Sequence, residues 1–513
     1  MESTSRERFN VVELFHGAAR SVPDQPAIIY REKAVSFSDL EHAVNQTAAH
    51  FLHKGIRKGD RVLVFVPMSD DLYRVVLALF RIGAVAVFLD EWVSVKRLAD
   101  CCRLARCAAF IGTFKGRVLA RLLPGLRSIP LHMGLKYAST SSLPVFPETN
   151  RDDIALITFT TGSTGTPKAA IRTHGLLFEQ FQALVPLISA APGEVCMPVL
   201  PIVLLINLGA GVTSVIADFN ARKPDAMKPE KIADQIRRYR VGSIIASPFF
   251  VKQLSLYLNA NVLNLNTIKR ILTGGAPVFP TEASAYRNAF PEAAIGIVYG
   301  STEAEPMSMI TADELISSDT THGLNVGKVE PAATVKIIRI IDDSIAAADD
   351  EALSALEAVP GEIGEIIVSG SHVLRDYLHN PDALKRNKIF IGTTCWHRTG
   401  DSGFWGENGN LFLTGRCASL IGTQEGLLST FLYENRLQLI EGVEMGTIML
   451  IRDRLTAVVE LADPSRQHSV SAAMQLLPDA FGDIVFVPKI PRDPRHNSKI
   501  DYEKLRALLS RSH

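Results

Sequence analysis

Short apolar runs alternate with amphipathic segments along most of the chain, and this alternation limits the folds that it can adopt. The run AIIY precedes the helix-period segment DLEHAVNQTAAHFLHKG, and the run DRVLVFVPM precedes DLYRVVLALFRIGAVAVFLD. The same order returns in KIADQIRRYRVGSIIASPFF, where a helical period is followed by the apolar run VGSIIAS. Strands that alternate with helices predict an α/β fold with a largely parallel sheet.

The length and two changes in composition predict how the chain is divided. A chain of 513 residues exceeds the size of a single core. New strand and helix signals begin after Gly415 and Arg416, so we predict a large α/β N-terminal domain at residues 1–415 and a small, mobile α+β C-terminal domain at residues 416–513. Residues 341–364 are acidic and rich in alanine, which predicts an exposed insertion with one helix.

Charge and cysteine content limit the kinds of binding partner and metal site that we expect for the chain. Lys plus Arg and Asp plus Glu each number 54, so no net field draws the chain to nucleic acid or to an anionic membrane, and a small or neutral partner is expected. The N-terminal MESTSRERFNVVELF has neither a secretory nor a lipidation pattern, which predicts a cytoplasmic protein. Six cysteines without Cys-x-x-Cys spacing favour reduced structural thiols over a metal site.

Residues 195–217 contain no charged side chain and are long enough to cross a bilayer. Pro198, Pro201, Asn207 and two glycines interrupt the segment, and no basic flank fixes an orientation. We therefore predict no transmembrane segment here, but a buried strand and helix that line an apolar pocket.

The segment LITFTTGSTGTPKAA, residues 156–170, is an apolar strand that runs into a loop of Thr, Ser and Gly. Such loops bring backbone N–H groups and hydroxyls to phosphate oxygens, and Lys168 adds a point charge. Pro167 stands where a Walker A loop requires glycine, so a P-loop ATPase or kinase is disfavoured. The candidate phosphate-binding residues are Thr160, Thr161, Gly162, Ser163, Thr164 and Gly165.

Further polar motifs follow along the chain. They are GGAP (Gly274, Gly275, Ala276, Pro277), YGSTEAEP (Tyr299 to Pro306), WHRTGD (Trp396 to Asp401), the pair Gly415 and Arg416, and PRDPRHNSKI (Pro491 to Ile500). Glycines permit a close backbone approach to a ligand, and carboxylates accept hydrogen bonds from hydroxyl groups.

Together these motifs resemble the signature set of the adenylate-forming superfamily, which comprises acyl-CoA synthetases, luciferases and peptide-synthetase adenylation domains. The loop TTGSTGTPK resembles the family's signature loop, and the other motifs stand in the family's order up to residue 500. The resemblance implies that the chain uses ATP and Mg²⁺ to activate a carboxylic acid as its acyl-AMP with release of pyrophosphate.

The resemblance also implies roles for single residues. The ring of Tyr299 would stack on adenine, Thr302 would bond the α-phosphate, Glu303 would hold Mg²⁺ and Asp401 would bind the ribose. Gly300 and Ser301 belong to the same nucleotide-binding motif as Tyr299, and the GGAP loop would border the adenine pocket.

Three cationic residues complete the implied site. Arg416 would reach the ribose or a phosphate at the start of the hinge between the domains. Lys168 and Lys499 would offset the repulsion between carboxylate and triphosphate, and Lys499 would be the catalytic lysine that bridges the two.

The segments YGSTEAEP and PRHNSKI are similar in sequence to the corresponding motifs of the olefin β-lactone synthetases. That resemblance implies a long-chain β-hydroxy acid whose own hydroxyl attacks the activated carbonyl, and pathway partners that make the acid and decarboxylate the lactone. The sequence does not assign the general base. For His174, a structural role is at least as compatible with the sequence as a catalytic one.

Two alternatives stay open. An acyl-CoA or acyl-carrier ligase is disfavoured because only Gly426 stands where those enzymes have a glycine-rich turn, and because LPIVLLINLGAG lacks their histidine. An inactive acyl- or nucleotide-binding module is disfavoured by the retention of Lys168, Glu303, Asp401 and Lys499.

Overall fold

The computed structural model describes residues 7–89, 95–137, 140–161, 167–188, 191–220, 223–423, 426–452, 454–475, 482–492 and 500–510. Within these ranges helices and strands alternate along the N-terminal four fifths of the chain, as the apolar periodicity predicts.

The strands are β1 Pro26–Tyr30, β2 Lys33–Ser36, β3 Arg61–Phe65, β4 Val85–Phe88, β5 Ala109–Gly112, β6 Leu131–Met133, β7 Ile154–Thr161, β8 Pro167–Thr173, β9 Val195–Pro198, β10 Thr213–Val215, β11 Ser243–Ala246, β12 Arg270–Gly274, β13 Ala294–Ser301, β14 Ala304–Thr311, β15 Leu324–Asn325, β16 Lys328–Val329, β17 Thr334–Ile338, β18 Gly364–Ser369, β19 Lys388–Ile391, β20 Thr394–Trp405, β21 Leu411–Arg416, β22 Ile421–Thr423, β23 Gly426–Leu428, β24 Val443–Ile451, β25 Arg454–Leu461 and β26 Asp483–Val487.

The α-helices are α1 Val12–Ser21, α2 Phe37–His53, α3 Asp70–Arg81, α4 Val95–Ala105, α5 Phe114–Leu122, α6 Pro124–Arg127, α7 His174–Ile188, α8 Pro201–Ala210, α9 Pro229–Arg238, α10 Pro248–Ala260, α11 Pro280–Ala289, α12 Ala312–Ile316, α13 Asp350–Ser354, α14 Pro381–Asn387, α15 Thr430–Gln438, α16 Gln467–Met474 and α17 Tyr502–Leu509. Short 3-10 turns occur at Pro224–Ala226, Cys417–Ser419 and Pro464–Arg466.

Helix α3 illustrates how local sequence sets these boundaries. The Ser69 hydroxyl accepts a hydrogen bond from the backbone N–H of Leu72, which caps the first turn, and Asp70 and Asp71 place negative charge at the positive end of the helix dipole. The helix is buried along its apolar face between Leu72 and Phe80. It packs on α2 and on the first strands, which places it in the core of the N-terminal region.

Two parallel-rich sheets form the N-terminal region. One has the strand order β6-β5-β3-β4-β7-β8, and the other is nine-stranded with the order β16-β14-β13-β12-β11-β9-β10-β1-β2. Strands β9 to β13 pair in parallel, while β7 and β8 form an antiparallel hairpin at the edge of the first sheet. The predicted α/β fold class is confirmed.

A third sheet is antiparallel and joins the nine-stranded sheet through a short connection. Its order is β15-β21-β20-β18-β17, and β19 pairs with β20. Gly327 lies in this connection, where its carbonyl accepts from Leu411 N at 2.8 Å. Its φ of +81° lies in the left-handed region, and a Cβ atom there would overlap the Met309 carbonyl.

The uncharged segment at residues 195–217 folds as β9, α8 and β10, which agrees with the prediction of a buried strand and helix. Within the described parts of the chain, no helix is long and apolar enough to cross a membrane. The acidic insertion contains helix α13, the one helix expected there from its sequence.

The C-terminal part of the chain forms a separate sheet, β24-β25-β26, with α15, α16 and α17 around it. The predicted boundary between residues 415 and 416 falls at the end of β21 and stays a prediction. Within this part of the chain, three side chains form a hydrogen-bonded group. Glu434 Oε1 accepts from Tyr502 Oη at 2.6 Å and from Thr447 Oγ1 at 3.3 Å. Burial raises the pKa of the Glu434 carboxyl to about 7.

We predict that Gly327→Ala destabilises the protein by more than about 2 kcal/mol, because it combines left-handed strain with a backbone overlap. Gly361 is the matched control, since its φ is +85° but a Cβ there meets no atom within 4 Å. Gly361→Ala should cost only about 1 kcal/mol. Denaturant unfolding of both variants measures the difference in their free energies of unfolding. Equal losses of stability would show that the overlap of the new Cβ atom with the Met309 carbonyl is relieved without cost.

We predict that the Glu434 carboxyl makes stability depend on pH. Its folded-state pKa is raised, so its stabilising contribution is complete below the unfolded value of 4.5 and is lost as pH rises through about 7. In the Glu434→Gln variant the thermal midpoint should vary less with pH across that window. The difference from wild type corresponds to about 1 to 3 kcal/mol of unfolding free energy. The exposed Glu441→Gln variant should keep the wild-type slope; a Glu434→Gln profile parallel to wild type contradicts the assignment.

Candidate functional site

A connected cavity of about 2480 Å³ lies where the parallel strands β11, β12 and β13 end. Its wall includes residues 245–249, 272–279 and 297–303, which form the ends of those three strands and the segments after them. Parallel strands of an α/β sheet direct their carboxyl ends to one edge, and ligands of such sheets bind there. The cavity is therefore the candidate site.

The GGAP loop forms one wall of this cavity. Gly274, Gly275, Ala276 and Pro277 all line it. A Cβ atom on Gly274 would stand 2.5 Å from the Val298 carbonyl oxygen, and Gly275 has a φ of +86°. Only glycine allows the loop to pass this close to β13.

Tyr299, Asp401 and Arg416 meet at the cavity, although they come from three separate motifs. Tyr299 Oη donates to Asp401 Oδ2 at 2.9 Å, and Arg416 Nε lies 3.1 Å from Asp401 Oδ1. Burial and the adjacent Asp401 carboxylate raise the pKa of Tyr299 well above its usual value, so its hydroxyl stays protonated and acts as a donor. An aromatic ring, a carboxylate and a guanidinium thus share one wall.

The turn that carries Asp401 is held by a buried ion pair. Arg398 Nε donates to Glu365 Oε2 at 2.9 Å, and the backbone N–H of Gly400 donates to Glu365 Oε1 at 3.3 Å. Both charged side chains are buried. Removal of either partner would leave an uncompensated buried charge, so the pair holds the turn in one conformation.

The backbone of Thr302 is held by a buried arginine. Arg172 Nη2 donates to the Thr302 carbonyl at 2.8 Å, and its Nη1 donates to Thr158 Oγ1 at 2.7 Å. Burial lowers the pKa of Arg172, and the charges of Glu303 and Glu305 oppose that shift. This arginine therefore links the β7–β8 hairpin to the turn of Thr302 and Glu303.

Gly300 and Ser301 shape the same turn. The Ser301 hydroxyl accepts from Ala304 N at 3.2 Å, and a Cβ atom on Gly300 would stand 3.0 Å from Glu305 Cγ. Both residues line the cavity, and glycine leaves room for the Glu305 side chain to pass.

Glu303 is surrounded by groups that compensate its charge. Tyr377 Oη donates to Glu303 Oε1 at 3.3 Å. The ammonium groups of Lys168 and Lys388 lie 5.9 Å and 5.7 Å from the centre of the Tyr377 ring, and Lys168 Nζ also donates to Asn387 Oδ1 at 3.3 Å. A carboxylate and two ammonium groups therefore lie around one buried ring.

The two lysines lose basicity through burial. Desolvation lowers the pKa of Lys168, and the charge of Glu303 partly restores it. The pKa of the more deeply buried Lys388 falls to about 8 for the same reason, while Cys395 and Glu303 oppose the shift. Any further negative charge that enters the cavity would raise both values again.

A short segment, residues 374–378, ties these parts together. Leu374 N donates to the Glu303 carbonyl at 2.7 Å, and Lys388 Nζ donates to the Leu374 carbonyl. Leu378 N donates to the Ala169 carbonyl at 2.8 Å. The segment therefore connects the strand that carries Lys168 to the turn that carries Glu303.

Another part of the cavity wall is apolar. Its wall includes Leu200, Ile202 and Leu205 from the start of α8, and Leu184 and Ile188 from α7. Polar and apolar groups are thus segregated within one cavity, which suits a ligand with a charged end and a hydrocarbon part.

Several predicted site residues lie outside the described residues. These are Gly162, Ser163, Thr164 and Gly165 of the signature loop, and Lys499. Thr160 and Thr161 end strand β7, and their side chains are likewise outside the description. The predicted roles of all these residues stay predictions.

His174 is buried away from the cavity. Its Nδ1 accepts a hydrogen bond from Val11 N at 3.3 Å, and burial lowers the pKa of the imidazole to about 4. It joins the start of α7 to the N-terminal segment, which is a structural role. Among the described residues, no three His, Cys, Asp or Glu side chains group together as a metal site.

Sequence reasoning missed Tyr377, Lys388 and Arg172. Lys388 begins an apolar strand and Arg172 lies in the apolar segment that ends β8, so each was a charged residue at a position where the pattern implied burial. A buried charge requires a partner, and that conflict was the available signal. Tyr377 offered none, because its neighbours are distant in sequence.

Comparisons with known proteins agree with this geometry. The family model described as "AMP-binding enzyme" matches residues 15–378. The olefin β-lactone synthetases of Stenotrophomonas maltophilia and Xanthomonas campestris are 29% and 28% identical to the chain, over 98% and 97% of its length and 98% and 96% of theirs. The amide bond synthetase McbA of Marinactinospora thermotolerans has the same fold, with a TM-score of 0.79, 22% identity and coverage of 97% of this chain and 99% of that one. The chain therefore belongs to the AMP-binding enzyme family and is an adenylate-forming ligase.

Proposed function

We propose that the chain activates a long-chain β-hydroxy carboxylic acid with ATP and then closes the acyl-AMP to a β-lactone. The observation that carries the proposal is a single cavity in which a nucleotide-type polar cluster adjoins an apolar wall. The full-length similarity to two olefin β-lactone synthetases favours this product over others in the family.

The first half-reaction brings two anions together. The carboxylate oxygen of the acid attacks the α-phosphorus, and pyrophosphate leaves. Lys168 and Lys499 would lower the repulsion between the anions, and Thr302, whose backbone is held by Arg172, would bond the α-phosphate. Tyr299 and Asp401 would orient the adenosine.

A Mg²⁺ ion fits the chemistry of this cluster. Glu303 offers carboxylate oxygen, a hard donor, and the described side chains include no complete protein cage. Magnesium commonly takes one or two carboxylates and completes its shell with water and substrate phosphates. When bound, it would neutralise phosphate charge; Tyr377 orients the carboxylate that would hold it.

The second half-reaction needs no thiol. The oxygen of the β-hydroxyl attacks the carbonyl carbon, the bond from that carbon to the AMP phosphate oxygen breaks, and the hydroxyl proton passes to a base or to water. Because the nucleophile is tethered to the electrophile, a high effective concentration offsets part of the strain of the four-membered ring.

A product analysis tests the proposal. With ATP, Mg²⁺ and a long-chain 3-hydroxy acid, we expect AMP, pyrophosphate and a product lighter than the acid by one water, independent of CoA. The matched 3-deoxy acid should form acyl-AMP without that product. AMP release that requires CoA would instead identify an acyl-CoA ligase, and absence of pyrophosphate release with every acid would identify an inactive binding module.

Lys499→Ala is the internal control of the same assay, since it should reduce pyrophosphate release by about a hundredfold or more. Lys489→Ala, at an exposed lysine nearby in sequence, should leave the rate unchanged. Equal rates in the two variants would exclude Lys499 from the reaction.

We predict that Tyr377→Phe raises the Mg²⁺ concentration needed for half-maximal pyrophosphate release by about tenfold, because the variant loses the hydrogen bond that orients Glu303. The variant keeps the aromatic ring, and with it the contacts of the ring with Lys168 and Lys388. Tyr286→Phe is the matched control, since Tyr286 is also buried and donates to a carbonyl, that of Pro248, at 3.1 Å. An unchanged Mg²⁺ requirement in Tyr377→Phe would contradict the orienting role.

A further inference from the structure

Helix α5, Phe114–Leu122, turns an apolar face outward. Phe114 and Leu122 are 74% and 73% exposed, and Val118 between them is 43% exposed. Residues spaced by four positions lie on one side of a helix. Large apolar side chains that share an exposed stripe on one helix usually mark an interaction surface.

The opposite face of α5 is anchored in the protein. Gly116 and Ala120 are buried, and a Cβ atom on Gly116 would stand 3.0 Å from the Phe65 ring. The Thr113 hydroxyl caps the helix by accepting from Gly116 N at 3.2 Å. The outward direction of Phe114, Val118 and Leu122 is therefore set by close packing on the inner side.

The charge around this helix differs from that of the whole chain. Residues 101–147 contain seven Lys or Arg residues and no Asp or Glu, although positive and negative residues balance over the full sequence. Lys115 and Arg121 flank the apolar stripe on α5, and Arg127 lies on the adjoining α6; all three are exposed. We call the six residues Phe114, Lys115, Val118, Arg121, Leu122 and Arg127 the α5 surface.

The α5 surface lies at the rim of the large cavity. Lys115 of this surface lines that cavity, together with Gly116 and Leu119 of the same helix and its cap residue Thr113. A ligand that reaches the site from this side would pass along α5.

We propose that the α5 surface docks the protein on an anionic lipid bilayer, with Phe114, Val118 and Leu122 inserted at the level of the headgroups. An exposed apolar stripe flanked by Lys and Arg is the pattern of helices that lie in the membrane interface, where apolar burial and attraction to anionic lipids act together. The inference is independent of which acid the site activates.

A second copy of the chain fits this surface less well. In a twofold dimer through α5, the basic region of one copy would face the same region of the other, and like charges would repel. A bilayer that contains anionic lipid supplies the opposite charge and accepts the apolar side chains.

Vesicle co-sedimentation tests the proposal. The full chain should bind phosphatidylcholine vesicles that contain phosphatidylglycerol, bind phosphatidylcholine alone much less, and dissociate as salt is raised. The double variant Phe114→Ser/Leu122→Ser should bind about tenfold more weakly or worse, since it removes both terminal apolar side chains. Pyrophosphate release from a short, soluble acid should be unchanged in that variant, which shows that it is folded.

The control variant is Val359→Ser/Leu439→Ser. It also removes two large apolar side chains, which are 66% and 64% exposed, but these have acidic neighbours in sequence. It should bind vesicles as wild type does. Equal vesicle binding by the α5 and control variants would overturn the proposal. Failure of wild type to bind at low salt would overturn it too, as would a dimer in light scattering that only the α5 variant disrupts.

Discussion

The Asp401 carboxylate accepts a hydrogen bond from Tyr299 and forms an ion pair with Arg416, and at this point three parts of the chain meet. Tyr299 ends a strand of the nine-stranded sheet, Asp401 lies in the antiparallel sheet, and Arg416 ends the last strand before the C-terminal part. Only 18% of the Asp401 side chain is exposed, and a carboxylate shielded from water requires hydrogen-bond and charge partners. The relative positions of the two sheets at the cavity therefore depend on how one negative charge is satisfied.

The same requirement explains the region around Glu303. Tyr377, Lys168 and Lys388 surround its carboxylate, and Arg172 supports the adjacent turn. Burial lowers the pKa of the two lysines, and the charge of Glu303 opposes that shift. A polyphosphate that binds here would add negative charge beside these buried cations, which would raise their pKa values and favour its own binding.

The sequence predicts the fold class well because hydrophobic periodicity is a local property, and strands β12 and β13 with their Gly-rich ends follow directly from it. It also indicates Tyr299, Asp401 and Arg416 as candidates, and the structure brings these three side chains into contact. Tyr377 and Lys388 could not be predicted, because their importance comes from neighbours that are far away in sequence. Gly162, Ser163, Thr164 and Gly165 of the signature loop and Lys499 lie outside the described residues, so their predicted roles rest on motif resemblance.

Residues 101–147 concentrate positive charge in a chain whose positive and negative residues are equal in number, so the remainder of the chain carries the compensating excess of negative charge. Lys115, Arg121 and Arg127 of this segment are exposed, so the surface around α5 is positive although the whole chain carries no net charge. A negatively charged surface would attract this side of the molecule, which would therefore arrive with a preferred orientation. Lysine and arginine keep their charge throughout the neutral range, and for this reason the alignment would respond to ionic strength rather than to modest acidification.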